Sequence, residues 1–359
     1  MNYLLIVLGS FLVAVITTPL TILLAKKFGL VDNPKRSHPA ILHKKPIPRG
    51  GGIPTFLAIF LTTLLFTPLD QHLVGIFIGG LILVLVGVLD DKYDLNPYLR
   101  LIANFLAALV VVASGIGITW ITNPFGGQIR FDQIILPFNF FGMHQLVLFA
   151  DLFALVWIVW VMNALNWSSG VDGQLSGIVV VSTFIMGMVA LKYVNSDPTQ
   201  TPVAVLSFSV MGAYLGFLLF SFYPQKIMPG YGGSTLAGFL LAVLAILAGG
   251  KLATALLVLT VPLVDAFWAI IRRLLSRKSP VWGDRDHLHH HLLDLGFSIP
   301  QISLFYIFVC AIFGTVSLLL DSQSKLFALA LVATGIFGLL ITVSLVLRKR
   351  DANSKIPHH

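Results

Sequence analysis

Long apolar runs with almost no charge in them constrain this chain more than any other feature. Eleven runs reach the roughly 17–25 residues needed to cross a bilayer, at about 3–25, 52–68, 73–89, 101–120, 145–165, 177–194, 202–222, 232–250, 252–271, 302–320 and 326–347. Lipid offers the backbone no hydrogen-bond partners, so each run is read as a helix. The composition closes off the other classes. Of 359 residues, 57% are apolar and 11% charged, against about 25% charged in an ordinary soluble domain. A mean hydropathy of +0.92 leaves too little polar surface to coat a soluble enzyme, and far too much apolar surface for a disordered chain. The single cysteine, Cys310, excludes an internal disulfide framework. The first run lacks a basic leader, is long for a signal peptide and is followed by Lys26-Lys27, so it reads as a span. The expectation is an all-α polytopic membrane protein of about eleven transmembrane helices, with residues 1–359 forming one integral domain.

The net charge of +8 could suggest nucleic acid, but the placement of the cations gives a different account. Nineteen of the 23 Lys and Arg lie after odd-numbered spans, among them Lys26, Lys27, Lys35, Arg36, Lys44, Lys45 and Arg49 in the first such loop. Only Arg130, Lys192, Lys251 and Lys325 fall on the other side. The positive-inside rule then puts the N-terminus outside and the C-terminus in the cytoplasm of a multi-pass protein of the cell membrane. The cytoplasmic loops would be 26–51, 90–100, 166–176, 223–231 and 272–301. The excess charge is accounted for by topology and membrane lipids, and no nucleic-acid partner is expected. The outer segment 121–144, apolar and aromatic with Pro and Gly, is expected to lie at the membrane surface.

The same five loops carry five polar clusters, which suggests one shared site on one face. Val31-Asp32-Asn33-Pro34 and His43-Lys44-Lys45-Pro46-Ile47-Pro48-Arg49-Gly50-Gly51-Gly52 pair cations with backbone-fixing prolines and glycines; a basic loop lying on anionic lipid is the plainer account of their charge. Asp90-Asp91-Lys92-Tyr93-Asp94 ends the third span. Its carboxylates suit a Mg²⁺ or Mg²⁺–phosphate seat, or else a solvated helix end that disfavours anions. Asn163 to Gly173 holds Asn163 and Asn166 one turn apart, followed by Asp172; polar capping of a helix would use the same residues. Pro229-Gly230-Tyr231-Gly232-Gly233-Ser234 opens a span with a glycine turn, a weak signal for phosphate at a helix N-terminus. Asp284-Arg285-Asp286-His287-Leu288-His289-His290-His291 crowds four histidines into five residues. With no cysteine nearby zinc is disfavoured, and phosphate binding or proton transfer is the stronger reading.

Taken together and in this order, the segments resemble the polyprenyl-phosphate N-acetylhexosamine-1-phosphate transferases of glycosyltransferase family 4. That family starts peptidoglycan lipid I, enterobacterial common antigen, O-antigen of lipopolysaccharide, and wall teichoic acid. The resemblance covers almost the whole chain. It rests chiefly on His43 to Gly52, on Asp90-Asp91 with Asp94, and on Asp284-Arg285 followed by His287-Leu288-His289-His290. It implies transfer of a sugar-1-phosphate from a UDP-sugar such as UDP-GlcNAc to a polyprenyl phosphate, with release of UMP and with Mg²⁺, or Mn²⁺, as cofactor. Carried over, Asp90 or Asp91 would orient or deprotonate the lipid phosphate, and Asp90, Asp91, Asp94 and Asp172 would seat the metal. Arg285, His287, His289 and His290 would bind the diphosphate, Asn163, Asn166 and Asp172 would shape the nucleotide site, and His43 and Arg49 would support the loops. The resemblance allows a homodimer, or pairing with an active paralogue.

Three positions depart from the family pattern. Tyr231 stands where the family has a metal-binding Asp, Ser169 where it has Asp, and Ser221 where it has Asn. Phenol and hydroxyl groups are poor replacements for carboxylates around Mg²⁺. A catalytically impaired relative that binds lipid phosphate or a partner subunit is therefore the competing expectation. A secondary transporter is a third, with Asp265 as the intramembrane charge and Asp151 nearer the outer end.

Overall fold

The computed structural model describes residues 1–34, 43, 45–139, 143–248, 252–282 and 285–354. Lys35, Arg36, Lys44, Lys251 and Asp284, all used in the sequence reading, lie outside the described residues. Thirteen helices are formed among those described: α1 (Tyr3–Phe28), α2 (Gly52–Phe66), α3 (Gln71–Tyr93), α4 (Pro97–Ala113), α5 (Leu148–Trp167), α6 (Gln174–Tyr193), α7 (Gln200–Ser221), α8 (Gly230–Leu247), α9 (Leu252–Val258), α10 (Thr260–Leu275), α11 (Leu288–Asp294), α12 (Ile299–Leu319) and α13 (Ser322–Ser354). Sheet is confined to three two-stranded antiparallel ladders. They are β1 (Val31–Asp32) with β2 (Ile47–Pro48), β3 (Trp120–Thr122) with β4 (Gln128–Arg130), and β5 (Ile135–Asn139) with β6 (Met143–Val147).

Eight of the helices are long and apolar enough to cross a membrane, and the pair α9–α10 makes a ninth if counted as one bent span. Helices α2 and α4, with 15 and 17 residues, are about 22–26 Å long at 1.5 Å per residue, short of the ~30 Å hydrocarbon core. The expected run 101–120 is cut because Ser114 caps α4 and Gly115 turns the chain at φ +93°. The expected run 252–271 is broken rather than continuous, with an 82° bend between α9 and α10. Pro262, in the first turn of α10, has no N–H to return to the carbonyl of Val258, so the helix cannot run through. The segment between α4 and α5 carries the two hairpins β3–β4 and β5–β6, and α5 begins only at Leu148.

Helix α8 lies at the centre, with nearly every residue buried. α1, α12 and α13 show most of their apolar side chains on the outside, as lipid-facing helices do. Association inside lipid has little hydrophobic drive, so close backbone approach matters. A Cβ on Gly87 of α3 would fall 2.2 Å from Cα of Gly232 on α8, and a Cβ on Gly238 would fall 2.5 Å from Cα of Met162 on α5. These contacts set α3 and α5 directly against the N-terminal half of α8, where the polar clusters meet.

Candidate active site

A cavity of about 1130 Å³ opens at one end of the bundle. All five polar clusters reach it, so the common face expected from the loops is a structural fact. Its wall includes Asp32, His43 and Arg49 from the first loop, Asp90 and Asp94 from the end of α3, and Asn163, Asn166 and Asp172 around the α5–α6 turn. Tyr231 at the start of α8 and His287, His289 and His290 at α11 complete it. Arg285 is placed differently: half exposed, it donates from Nη2 to Asp294 Oδ1 at 3.0 Å and does not line the cavity.

The adjacent carboxylates Asp90 and Asp91 do different things. Successive helical residues point about 100° apart, so Asp90 faces the cavity while Asp91 faces α8. Asp90 Oδ1 accepts from the Leu95 N–H at 3.1 Å and lies 3.5 Å from Arg100 Nη1. Asp91 Oδ1 accepts from the Tyr231 N–H at 3.2 Å, with Arg49 Nη1 at 4.0 Å. That puts a carboxylate on the positive end of α8, where a sequence reading would place phosphate. Gly230 makes the seat: its φ is +66°, and a Cβ there would lie 2.2 Å from Asp91 Oδ2. Asp94 closes α3 in the left-handed conformation, its N–H bonded to the Asp90 carbonyl.

The first loop is a brace. Asp32 Oδ2 takes His43 Nε2 at 3.1 Å and Arg49 Nη2 at 3.0 Å. Backbone bonds from Met228 to Pro48 and from Gly51 to Met228 tie this loop to the one before α8. Asn163 donates to the Val159 carbonyl at 2.8 Å, and Asn166 Oδ1 accepts from Ser234 Oγ at 2.6 Å. Gln225 meets both oxygens of Asp172, from Nε2 at 2.6 Å and from the backbone N–H at 3.1 Å. Burial raises the Asp172 pKa above its usual value, and the Gln225 N–H draws it partly back.

The three departures are each absorbed into local structure. Ser169 Oγ donates to the Asn166 carbonyl at 2.6 Å, and Ser221 Oγ pairs with Ser176 Oγ at 2.9 Å. The Tyr231 hydroxyl lies 2.9 Å from the Arg100 carbonyl oxygen and 2.8 Å from the Asn104 side-chain amide. One phenolic proton cannot serve two acceptors; with the Asn104 amide turned end for end, both contacts are hydrogen bonds at once. Over the face of Tyr231, 5.6 Å from its centroid, stands the Arg100 guanidinium.

The histidine cluster is organised by Asp265, an intramembrane charge in the sequence reading. Asp265 Oδ2 is 2.9 Å from His287 Nδ1, and Oδ1 accepts from the Leu288 N–H at 2.9 Å. A carboxylate at Nδ1 places the proton there and fixes the orientation of the His287 ring on the cavity wall. The other outlier, Asp151, accepts from the Val147 N–H at 2.8 Å at the start of α5. The His289 ring lies against Gly170, where a Cβ would be 2.2 Å from Nε2. Burial, reinforced by the neighbouring imidazoles, pushes the pKa of His289 well below its usual value; burial takes His290 down to about 4. Both rings are thus neutral near pH 7. His291 and Arg272 both pair with Asp286.

The metal expected from the resemblance fits these residues poorly. Among the described residues no three His, Cys, Asp or Glu groups converge on one point. Asp90 is engaged by Leu95 and Arg100, Asp91 by α8, and Asp172 by Gln225. Sequence reasoning also missed Arg100 and Gln225. Arg100 carries a readable signal, a lone cation one turn into α4 behind its Asn96–Pro97 start; Gln225 carries none.

Fold and site define a multi-pass membrane protein with a polar cavity at an end of its helix bundle. A family model described as glycosyl transferase family 4 matches residues 73–249. The undecaprenyl-phosphate alpha-N-acetylglucosaminyl 1-phosphate transferase of Escherichia coli (strain K12) is 30% identical over 313 residues, covering 83% of this chain and 78% of that one. A probable undecaprenyl-phosphate N-acetylglucosaminyl 1-phosphate transferase of Bacillus subtilis (strain 168) is 28% identical over 324 residues, 88% of this chain and 84% of its own. The decaprenyl-phosphate N-acetylglucosaminephosphotransferase of Mycolicibacterium smegmatis (strain ATCC 700084 / mc(2)155) is 28% identical over 370 residues, 93% and 86% of the two chains. The chain belongs to glycosyl transferase family 4.

Proposed function

We propose that the protein transfers a sugar-1-phosphate, N-acetylhexosamine-1-phosphate by its relatives' names, from a UDP-sugar to a polyprenyl phosphate at the cytoplasmic face of the cell membrane. The observation that carries this is the meeting of five separate loops on one cavity, with Asp90 on one wall and His287, His289 and His290 on another. In the reaction a lipid phosphate oxygen bonds to the sugar-bearing phosphorus. The bond from that phosphorus to the bridging oxygen of the diphosphate breaks, and UMP leaves with the electron pair. Phosphoryl transfer asks the protein mainly for positioning and charge. Asp90 orients the lipid phosphate and takes its proton when one is present. The neutral His289 and His290 donate to the departing diphosphate oxygens, and His287, fixed by Asp265, stands beside them on the wall. Asp91 acts one step back by holding α8, and Asn163, Asn166 and Asp172 shape the nucleotide end.

Among the described residues no three acids or histidines share a seat for Mg²⁺ or Mn²⁺. The competing reading, an impaired lipid-phosphate binder, draws no support from the relatives, which are all named as transferases. The test is release of UMP from UDP-GlcNAc and other UDP-sugars by the purified protein with undecaprenyl phosphate. Release that is abolished by Asp90→Asn supports the proposal. No release across that panel, beside a relative active under the same conditions, overturns it.

A further inference from the structure

A diphosphate donor and a phosphate acceptor bring several negative charges into one cavity, and some cation must meet them. We propose that Arg100 is that cation, a guanidinium built into the site, and that the cavity binds phosphate without a divalent metal. The inference rests on the transfer reading for the identity of its ligand and on separate observations for its mechanism.

Three features support it. First, among the described residues no three acids or histidines converge, and Asp90, Asp91 and Asp172 turn to partners of their own on Leu95, Arg100, Tyr231 and Gln225. Second, Arg100 is fixed from two sides. Its guanidinium stands over the Tyr231 ring, 5.6 Å from the centroid, and Nη1 stands 3.5 Å from Asp90 Oδ1, long for a hydrogen bond. Tyr231 is in turn bonded to the carbonyl of Arg100 itself and to Asn104, so ring and cation are held as a unit. Third, the guanidinium lines the cavity and is about a quarter exposed there. Arg carries five donors in a planar fork that matches two oxygens of a phosphate. Asp90 uses at most one of them at short range, so the others are open to a ligand.

The residue at position 231 acquires a role from this arrangement. A phenol in place of a carboxylate removes a negative charge and provides a surface on which a fixed cation can rest. A divalent ion and a guanidinium at the same point would repel, so the site carries one in place of the other.

The test uses the full-length protein in nanodiscs and compares affinity for undecaprenyl phosphate with that for uncharged undecaprenol, in EDTA and in MgCl₂. The expected result is a preference for the phosphate of about tenfold or more in EDTA, as for a charge-assisted hydrogen-bonded pair, that Mg²⁺ leaves nearly unchanged. Arg100→Gln should erase most of the preference, and Arg100→Lys should keep part of it. A preference that appears only with Mg²⁺, or that survives Arg100→Gln in a protein that still melts cooperatively, overturns the proposal. The wild-type comparison decides the metal question even where Arg100→Gln fails to fold. Metal-free phosphate preference with no UMP release from any UDP-sugar sinks the transfer reading and leaves this inference standing. UMP release and phosphate preference that both require Mg²⁺ do the reverse. Equal affinity for the two lipids in both buffers sinks both.

Discussion

A methyl group at position 87 should damage the site from outside it. Gly87 lies one turn before Asp90 and Asp91 on α3 and faces Gly232 on α8. In Gly87→Ala the new Cβ would sit 2.2 Å from the Gly232 Cα, where ordinary contact begins at 3.4 Å. The helices must therefore part by roughly 1.2 Å, and overpacking of this kind costs about 1–3 kcal/mol. The same displacement acts on the bond between Asp91 Oδ1 and the Tyr231 N–H, already 3.2 Å long; a further ångström breaks it and leaves the carboxylate buried with a poorer partner. Gly232→Ala supplies an internal comparison. Its Cβ meets nothing nearer than 3.3 Å, so the loss should be distinctly smaller. Gly338→Ala on α13 meets nothing within 4 Å and should be neutral or slightly stabilising. The assays are the thermal unfolding midpoint in detergent and UMP release by the same preparations. The expected order of damage in both is Gly87→Ala, then Gly232→Ala, then Gly338→Ala. Equal midpoints and equal turnover for Gly87→Ala and wild type would refute the close-contact argument.

Tyr231→Phe removes the hydroxyl that serves Arg100 and Asn104 and should destabilise by about 1–3 kcal/mol, read from the melting midpoint; an unchanged midpoint would mean those groups repair themselves. Asp265→Asn should cost about 10–100-fold in turnover, by analogy with partners that orient ligating histidines, while substrate affinity changes little; full activity would show that His287 needs no orienting group. Stability should fall in acid on account of His290. The unfolded chain takes up this proton near pH 6.5 and the folded protein only near 4, so the contribution is whole above about 6.5 and is lost as pH falls toward 4. At about 1.4 kcal/mol per pH unit that interval is worth roughly 3 kcal/mol, and His290→Gln should flatten the acid limb of a stability–pH curve.

The helices were legible because lipid imposes one simple demand, a long apolar run with every backbone bond made inside it. Where the run hides a local exception the reading slipped. Pro262 is plain in the sequence, yet the apolar count runs straight over it and misses the 82° bend. The strands of the two hairpins, three to five residues each, are too short to show an alternating pattern. The cluster residues were found because charge is rare in this chain, and most of them reach the cavity. Their division of labour was not visible. Asp90 and Asp91 look equivalent as letters and differ by 100° on a helix, and Arg285 looks like part of the histidine motif until Asp294 takes it. Arg100 and Tyr231 stand 131 residues apart, and nothing in either segment announces their contact.

The Tyr231 anchorage also limits the routes by which this sequence can change. A single replacement by aspartate would strip the Arg100 carbonyl and Asn104 of their partner and empty the space of a phenol ring. It would also set another acid beside Asp90 and Asp91. The carbonyl of residue 100 stays whatever side chain it carries, so the compensating change for a carboxylate at 231 falls on position 104. Substitutions at 104 and 231 should therefore be found to travel together.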